Sequence, residues 1–328
     1  MITDRRISVI IACYRDAGSI REFWRRLNEV LPSITPNFEI IYVNDASPDA
    51  SADILAELAA QDPHLVVVTH TRNFGSQSAF LSGMRVARGD AIILMDGDLQ
   101  DPPHLIPDLV ARWLEGNLIV YGERVARRET LFRQFAYKVF YRVFRHMANV
   151  PIPVDAGDFG LIDRKVANTL LDSFPEHLVF LRGLRAYTGF SSCGVPYVRD
   201  TRFDGRSTNS FAGNIHWAKL AIFSFSARPL RYISYLASVV LIATMCAGLY
   251  YLIAFFTSGR EAPSGFMTLL CVTLFLGSVQ LLCFAILAEY LGHIYIEIKQ
   301  RPRYIVKDIV DNREHLEPAR DSCNTMKE

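Results

Sequence analysis

The sequence carries almost no net charge and no paired cysteines, and each absence excludes a class of protein. Its 35 basic and 34 acidic residues leave a formal net charge of +1 over 328 residues, so charge gives no reason to expect a nucleic-acid partner. The six cysteines are scattered, with no Cys-x-x-Cys pair. We therefore expect neither a zinc site nor a disulfide framework.

Glycine-rich phosphate-binding motifs and a signal peptide are also missing. No Gly-x-Gly-x-x-Gly follows the first strand-like run, and no Gly-x-x-x-x-Gly-Lys-Ser/Thr occurs. The first residues lead directly into that run, without the apolar core and cleavage region of a signal peptide. A nucleotide bound by this chain would have to be held by side chains.

Two long stretches lack any charged residue, one between Arg231 and Arg260 and one between Glu261 and Glu289. Each exceeds the roughly 20 residues that cross a bilayer core. A buried core helix is the alternative, but the short turn between them favours a transmembrane hairpin. The predicted spans are 232–256 and 266–290.

Basic residues flank this hairpin on both sides. Arg228 and Arg231 precede it, and a cluster of Lys and Arg between 299 and 307 follows it, whereas the connecting loop carries one Arg offset by one Glu. The positive-inside rule then predicts a multi-pass protein of the cell (inner) membrane, with the large N-terminal part and both termini in the cytoplasm.

Strand-like and helix-like segments alternate through the first 121 residues. This alternation predicts an α/β fold with a mostly parallel sheet and helices on both faces. Basic, aromatic stretches at 124–145 and 211–225 suit either core-packed helices or helices at a membrane surface, and the tail after about 311 is expected to be disordered. The predicted strands are 7–13, 38–43, 65–69, 91–95 and 118–121, and the helices are 20–31, 49–61, 76–88 and 104–116.

The run Asp96-Gly97-Asp98 follows the fourth predicted strand. Two carboxylates spaced by two residues point the same way from an extended chain, and strand ends of open α/β sheets are where ligands bind. Carboxylate pairs of this kind hold hard cations such as Mg²⁺. The alternative is an acidic turn before a proline-capped helix.

Similar polar turns follow the other strands. Their carboxylates could accept hydrogen bonds from ribose hydroxyls or a base N–H, although each turn alone is as well explained as a helix cap. The turns are Tyr14-Arg15-Asp16, Asn44-Asp45-Ala46-Ser47-Pro48-Asp49 and His70-Thr71-Arg72-Asn73-Phe74-Gly75.

The order of the motifs from about residue 7 to 306, with the hairpin at the end, is more specific than any one motif. Besides those above, it includes Leu99-Gln100-Asp101-Pro102-Pro103, Asp155-Ala156-Gly157-Asp158-Phe159-Gly160-Leu161, Arg182-Gly183, Arg202-Phe203-Asp204-Gly205-Arg206-Ser207, Ser224-Phe225-Ser226-Ala227-Arg228-Pro229-Leu230-Arg231 and Arg301-Pro302-Arg303-Tyr304. The chain resembles inverting glycosyltransferases of family 2, which have a GT-A (Rossmann-like) fold, and among them the polyprenyl-phosphate glycosyltransferases.

This resemblance implies roles for the carboxylates at the strand ends. Asp96 and Asp98 would hold Mg²⁺ or Mn²⁺ against a diphosphate, with Gln100 as a third ligand and Asp98 among the catalytic residues. Asp16 and Asp45 would contact the nucleoside.

It also implies roles in the second half of the chain. Asp158 would lie near the acceptor as the candidate base, and Arg124 and Arg202 would bind phosphate oxygens. Ser207 would belong to the donor-binding set, and Arg206 stands near the place of a lysine that the family often has. A lipid phosphate is largely dianionic at neutral pH, so we expect Asp158 to orient the site more than to remove a proton.

The resemblance thus implies transfer of one sugar, with UDP-glucose as first choice, to polyprenyl (undecaprenyl) phosphate. UDP-N-acetylhexosamine, an aminoarabinose donor and GDP-mannose are alternative donors. A processive synthase is disfavoured because no Gln-x-x-Arg-Trp occurs, and a non-catalytic scaffold or nucleotide sensor would not need the metal and acceptor residues. The expected organisation is a catalytic domain (1–210), an interfacial helix (211–231), the hairpin (232–290) and a C-terminal segment (291–328), with a dimer or tetramer formed through the hairpin.

Overall fold

A computed structural model describes residues 1–124, 156–199, 203, 226, 228–257 and 265–313. Within these residues one sheet has eight strands in the order β7-β5-β6-β4-β1-β2-β3-β8. Its centre, β4-β1-β2-β3, is parallel, whereas β6 and β8 pair with their neighbours in antiparallel fashion. The strands are β1 Ile7–Cys13, β2 Phe38–Asn44, β3 Leu65–His70, β4 Ala91–Asp96, β5 Ile119–Arg124, β6 Ala156–Asp163, β7 Ser192–Tyr197 and β8 Val306–Asp311.

Helices cover both faces of this sheet, as the alternating pattern predicts. Alternate residues of β1 enter two different apolar clusters: Val9 packs with α1, α2 and α4, and Ile10 packs with α3, α5 and α6. The helices are α1 Ala17–Ile34, α2 Ser51–Gln61, α3 Ser76–Val86, α4 Ile106–Leu114, α5 Arg164–Asp172, α6 Leu181–Tyr187, α7 Arg228–Thr257 and α8 Phe266–Lys299, with a 3₁₀ turn at Pro103–Leu105.

The five predicted strands are present, each within a few residues of its expected ends. The sequence pattern did not predict β6, β7 or β8. Of the three missed strands, β8 is the most informative. Val306–Asp311 pairs with β3 at the edge of the sheet, and Arg313, two residues beyond it, is 5 % exposed. The chain is therefore ordered two residues past the point at which disorder was expected.

The parallel strands place their carboxyl ends at one edge of the sheet. Asn44 is in register with Cys13, and Asp96 with Ala12. Backbone hydrogen bonds fasten the turns that follow, since Asp45 N–H donates to the Cys13 carbonyl (3.0 Å) and Gly97 N–H to the Ala12 carbonyl (2.9 Å). The polar turns after β1, β2 and β4 therefore meet, as the sequence predicts.

α7 and α8 are long and apolar enough to cross a membrane. Their most apolar parts, Arg228–Ala247 and Val272–Lys299, have mean hydropathies of 1.6 and 1.9, and apolar side chains such as Val239 and Leu281 face outward. The two helices pack against each other. The predicted interfacial helices at 124–145 and 211–225 lie almost entirely outside the described residues.

Candidate functional site

The turn Asp96-Gly97-Asp98 is built around a glycine that nothing larger can replace without movement. A Cβ on Gly97 would lie 2.9 Å from the Ala12 carbonyl oxygen and 3.0 Å from Asp16 Oδ2. Ser19 Oγ also donates to the Gly97 carbonyl at 2.6 Å. This close approach brings the Asp16 carboxylate beside Gly97, the residue between Asp96 and Asp98.

Backbone strain concentrates at this edge of the sheet. Four non-glycine residues in the described part of the chain have positive φ, and three of them, Arg15 (60°), Ala46 (52°) and Leu99 (57°), follow β1, β2 and β4. Such conformations cost of order 1–3 kcal/mol each and cluster at functional sites. The positive φ of Leu99 turns the chain between Asp98 and Gln100.

Negative charge accumulates around Asp96. Burial and the nearby carboxylates of Asp101, Asp158 and Asp98 raise the pKa of Asp96 to about 7, with Arg199 opposing the rise. The Asp96 side chain keeps 36 % exposure, so it remains open to a ligand. A bound cation would favour the ionised form of this carboxylate.

The buried oxygens at this turn belong to carboxylates, the ligand type that a divalent cation prefers. Asp98 is 7 % exposed and Asp101 is 1 % exposed, and Oδ2 of Asp101 accepts no hydrogen bond from the described residues. Among those residues, no group of three His, Cys, Asp or Glu side chains is arranged to hold a metal. The predicted protein ligands of the metal remain Asp96, Asp98 and Gln100. Mg²⁺ commonly takes its other ligands from water and substrate phosphates.

Arg124 reaches the acidic turn through Tyr197. Arg124 Nε donates to Tyr197 Oη (3.3 Å), and Tyr197 Oη donates to Asp101 Oδ1 (2.5 Å). Arg199 lies 3.3 Å from Asp101 and 4.0 Å from Asp96. The sequence predicted no role for Asp101, Tyr197 or Arg199. Of these three residues only Asp101 carried a signal, because it precedes Pro102-Pro103.

Asp158 is held by two arginines of α6. Arg182 donates from Nε to Oδ1 (3.0 Å) and from Nη2 to Oδ2 (2.9 Å), while Arg185 donates to the carbonyls of Asp158 and Gly157. Burial raises the pKa of Asp158, but Arg182, Arg185 and Gln77 outweigh it and hold this pKa below its usual value. Asp158 is therefore a fixed carboxylate at neutral pH.

Asp45, expected beside the nucleoside, holds the loop after β3. Its carboxylate accepts the N–H of Phe74 (2.9 Å) and of Gly75 (2.6 Å), and Oδ1 lies 2.7 Å from His70 Nδ1. Gly75 has φ +90°, a conformation that favours glycine, at the start of α3. The more exposed Asp16 accepts the Tyr14 N–H at 3.1 Å.

The structure thus gathers most of the predicted site at one edge of the sheet. Asp45 lies one strand away from the others, and its carboxylate is engaged internally. Arg202 and Ser207, and with them Arg206, lie outside the described residues. The residues brought together are Asp16, Asp96, Asp98, Gln100, Arg124 and Asp158.

Comparison with known proteins adds a family and full-length relatives. The family model described as glycosyl transferase family 2 matches residues 8–171. An uncharacterized glycosyltransferase of Synechocystis is 38 % identical, with coverage of 92 % of this chain and 95 % of its own. The SfII prophage-derived bactoprenol glucosyl transferase of Shigella flexneri is 34 % identical over 92 % of this chain and 97 % of its own.

Two further matches also cover most of both chains. A prophage bactoprenol glucosyl transferase homolog of Escherichia coli is 34 % identical over 93 % of this chain and 99 % of its own. Among solved structures, the mannosyltransferase PcManGT of Pyrobaculum calidifontis, in complex with GDP-Man and Mn²⁺, is 18 % identical at a TM-score of 0.47, over 92 % of this chain and 89 % of its own.

Proposed function

Because this chain belongs to glycosyl transferase family 2, we propose that it transfers one glucose from UDP-glucose to undecaprenyl phosphate, with inversion at the anomeric carbon. Two relatives that match nearly its whole length are named bactoprenol glucosyl transferases or homologs. The two long apolar helices support the proposal, because as membrane spans they would place the chain where a lipid acceptor lies.

The observation that carries this proposal is the meeting of carboxylates and arginines at one edge of the sheet. The carboxylates of Asp101, Asp158 and Asp98 surround Asp96 closely enough to raise its pKa. Arg124 and Arg182 lie on the elements β5 and α6 that border it. A nucleoside diphosphate needs a cation and arginines around it as it leaves, because negative charge grows on its oxygens.

In the mechanism, Asp96 and Asp98 would hold Mg²⁺ or Mn²⁺, with the Gln100 amide oxygen beside them. When bound, this ion neutralises charge on the leaving diphosphate. Arg124 would contact the same phosphates, its guanidinium held in place by Tyr197. Asp16 and Asp45 would face the nucleoside.

The acceptor side requires orientation more than proton removal. A phosphate monoester has its second pKa near about 6, so the acceptor is already nucleophilic at neutral pH. Asp158 is ionised and bound by Arg182. Its negative charge would orient the arginines and, through them, the acceptor phosphate. Arg202 and Ser207 complete the proposed phosphate and donor contacts.

The membrane arrangement belongs to the same proposal. α7 and α8 would span the inner membrane as a hairpin, with the catalytic part (1–210), the interfacial segment (211–231) and the C-terminal segment (291–328) on the cytoplasmic side. Outward-facing apolar side chains on both helices would let copies of the hairpin pack into a dimer or tetramer.

The test is a donor panel. Purified full-length chain is incubated with undecaprenyl phosphate, Mg²⁺ or Mn²⁺, and UDP-glucose, UDP-N-acetylhexosamines, an aminoarabinose donor or GDP-mannose, and the lipid product is identified by mass. We expect a hexose-phosphate lipid from UDP-glucose and far less of it from an Asp98→Ala variant at the same metal concentration. No lipid-linked product from any donor contradicts the proposal, and nucleotide binding without turnover would indicate a sensor.

A further inference from the structure

The end of α8 makes contacts on two sides of the candidate site. α8 ends at Lys299, and Gln300 closes it with φ 45°, its N–H donating to the Glu297 carbonyl at 3.2 Å. Six residues after Gln300, at Val306, the chain enters β8 and pairs with β3. The short connection is held to the sheet by the Thr71 N–H, which donates to the Ile305 carbonyl (3.0 Å), so it links the apolar hairpin directly to the sheet.

On the nucleoside side the contact is Tyr304. Its ring stacks on the His70 imidazole with centroids 5.5 Å apart and planes 11° from parallel. His70 is buried, with Nδ1 2.7 Å from Asp45 Oδ1 and Nε2 2.8 Å from Ser82 Oγ. Because the Asp45 carboxylate holds the backbone N–H groups of Phe74 and Gly75, Tyr304 covers the ring that orients the loop after β3.

On the acceptor side the contact is Glu297. Its carboxylate accepts the backbone N–H of His177 (2.8 Å) and of Leu178 (3.3 Å), and lies 3.0 Å from His177 Nδ1. These residues belong to the loop between α5 and α6. That loop leads three residues later into α6, whose Arg182 holds Asp158.

We propose that Glu297 and Tyr304 are positioning residues through which the end of the apolar hairpin sets the two halves of the site, Tyr304 acting through His70 and Asp45 and Glu297 acting through the 177–178 loop and Arg182. The assignment of the halves to donor and acceptor rests on the proposed function. Neither side chain needs to touch a substrate.

The first test needs no turnover. Hydrogen exchange is measured by mass spectrometry on the full chain in nanodiscs of phosphatidylethanolamine and phosphatidylglycerol. Tyr304→Leu should speed exchange in peptides spanning 71–80 and leave 174–182 unchanged, and Glu297→Ala should do the reverse. Tyr304→Phe keeps the stacked ring, and Glu297→Gln keeps one acceptor oxygen, so each should restore most of the protection.

The second test separates the kinetic constants. With UDP-glucose and undecaprenyl phosphate, Tyr304→Leu should raise the KM for the donor by about fivefold, since one ring contact is lost, and leave the KM for the lipid unchanged. Glu297→Ala should lower kcat/KM for the lipid by about tenfold, since a charged acceptor is lost from two N–H groups. Asp308→Asn, an exposed carboxylate on β8, is the matched control and should change neither.

Two outcomes would overturn the inference: exchange in both peptides unchanged by both variants, or the same change produced by both. A wild-type chain that glucosylates no lipid would refute the proposed function alone, because the exchange pattern would still decide whether Glu297 and Tyr304 hold their loops.

Discussion

At the scale of the residue, two carboxylates of one site have opposite pKa shifts. Burial raises the pKa of both, but Arg182 and Arg185 compensate Asp158, whereas Asp96 faces three carboxylates and only the more distant Arg199. Asp158 is thus charged without a ligand. Asp96 becomes fully charged at neutral pH only when a cation is bound.

This asymmetry predicts an effect of Asp96→Asn on stability. In the metal-free chain, ionising Asp96 costs folding free energy as pH rises from its unfolded value near 3.8 to about 7. Asn should therefore raise the Tm at pH 8, by about 1–3 °C, and raise it by less at pH 5, where the unfolded chain is already ionised at this position and only part of the cost is present. Scanning calorimetry with a chelator measures this; a Tm gain at pH 5 equal to that at pH 8 would contradict it.

Asp158 should respond to pH in the opposite sense. Its pKa is lowered, so its charge and the Arg182 ion pair are present above about pH 4 and are lost as pH falls through the lowered pKa. Asp158→Asn should therefore reduce kcat by a similar factor, about 10- to 100-fold, at pH 6, 7.5 and 9. Asp172→Asn, which alters an exposed ion pair, is the control. A loss confined to low pH would instead support Asp158 as a base.

The metal ligands can be ranked by substitution. Asp98 supplies a carboxylate and Gln100 a neutral amide, so Asp98→Ala should raise the Mn²⁺ concentration needed for half-maximal activity more than Gln100→Ala does. Activity titrated against Mn²⁺ and Mg²⁺ measures the ranking. An equal or larger effect of Gln100→Ala would reverse the assignment.

At the scale of the element, the sequence predicted those strands that a short run of neighbouring residues is enough to identify. β1 to β4 are largely apolar runs of six or seven residues bounded by polar turns. Their alternation with helices along the chain implies a parallel sheet. β8 could not be found in this way. Val306–Asp311 carries charges at Lys307, Asp308 and Asp311, which follow no strand-like alternation. It becomes a strand only because β3, some 240 residues earlier, leaves an edge to pair with.

The same limit applies to the buried ion pair beside β8. Arg313 donates to the carboxylates of Asp311 and Glu39, and Glu39 also accepts from Ser8 Oγ (2.5 Å) and the Arg88 N–H (2.6 Å). Glu39 lies in β2, at the end of the sheet opposite the candidate site. No motif signals a partner at this separation.

Removing Arg313 should destabilise the chain strongly. Glu39 is 2 % exposed, and a buried charge that loses its partner costs about 3–5 kcal/mol. Arg313→Ala should lower the free energy of unfolding of the full-length chain by that amount, and Glu39→Gln in the same chain should recover part of it. Arg301→Ala, which removes an exposed cation, is the control. Denaturant unfolding of the wild-type chain and the three variants measures these free energies. A loss of unfolding free energy below about 1 kcal/mol in Arg313→Ala would contradict the assignment.

At the scale of the whole molecule, the distribution of basic residues predicts orientation. In a cysteine-free background, Ser258→Cys, between α7 and α8 in the sequence, should react with a membrane-impermeant maleimide added outside intact cells. Lys307→Cys should react only after the cells are opened, because it lies on the sheet side of the hairpin. The reverse pattern would invert the proposed topology, and labelling of both from outside would contradict a spanning hairpin.

The placement of β8 also has a consequence for synthesis. β3 ends at His70 and its edge partner begins at Val306, so a ribosome making about 10 residues per second leaves that edge uncovered for some 20 seconds or more. During this interval both apolar helices are synthesised. With the proposed membrane arrangement, the sheet is therefore completed only after these helices have entered the lipid, and until then the edge of β3 is open to pairing with another chain.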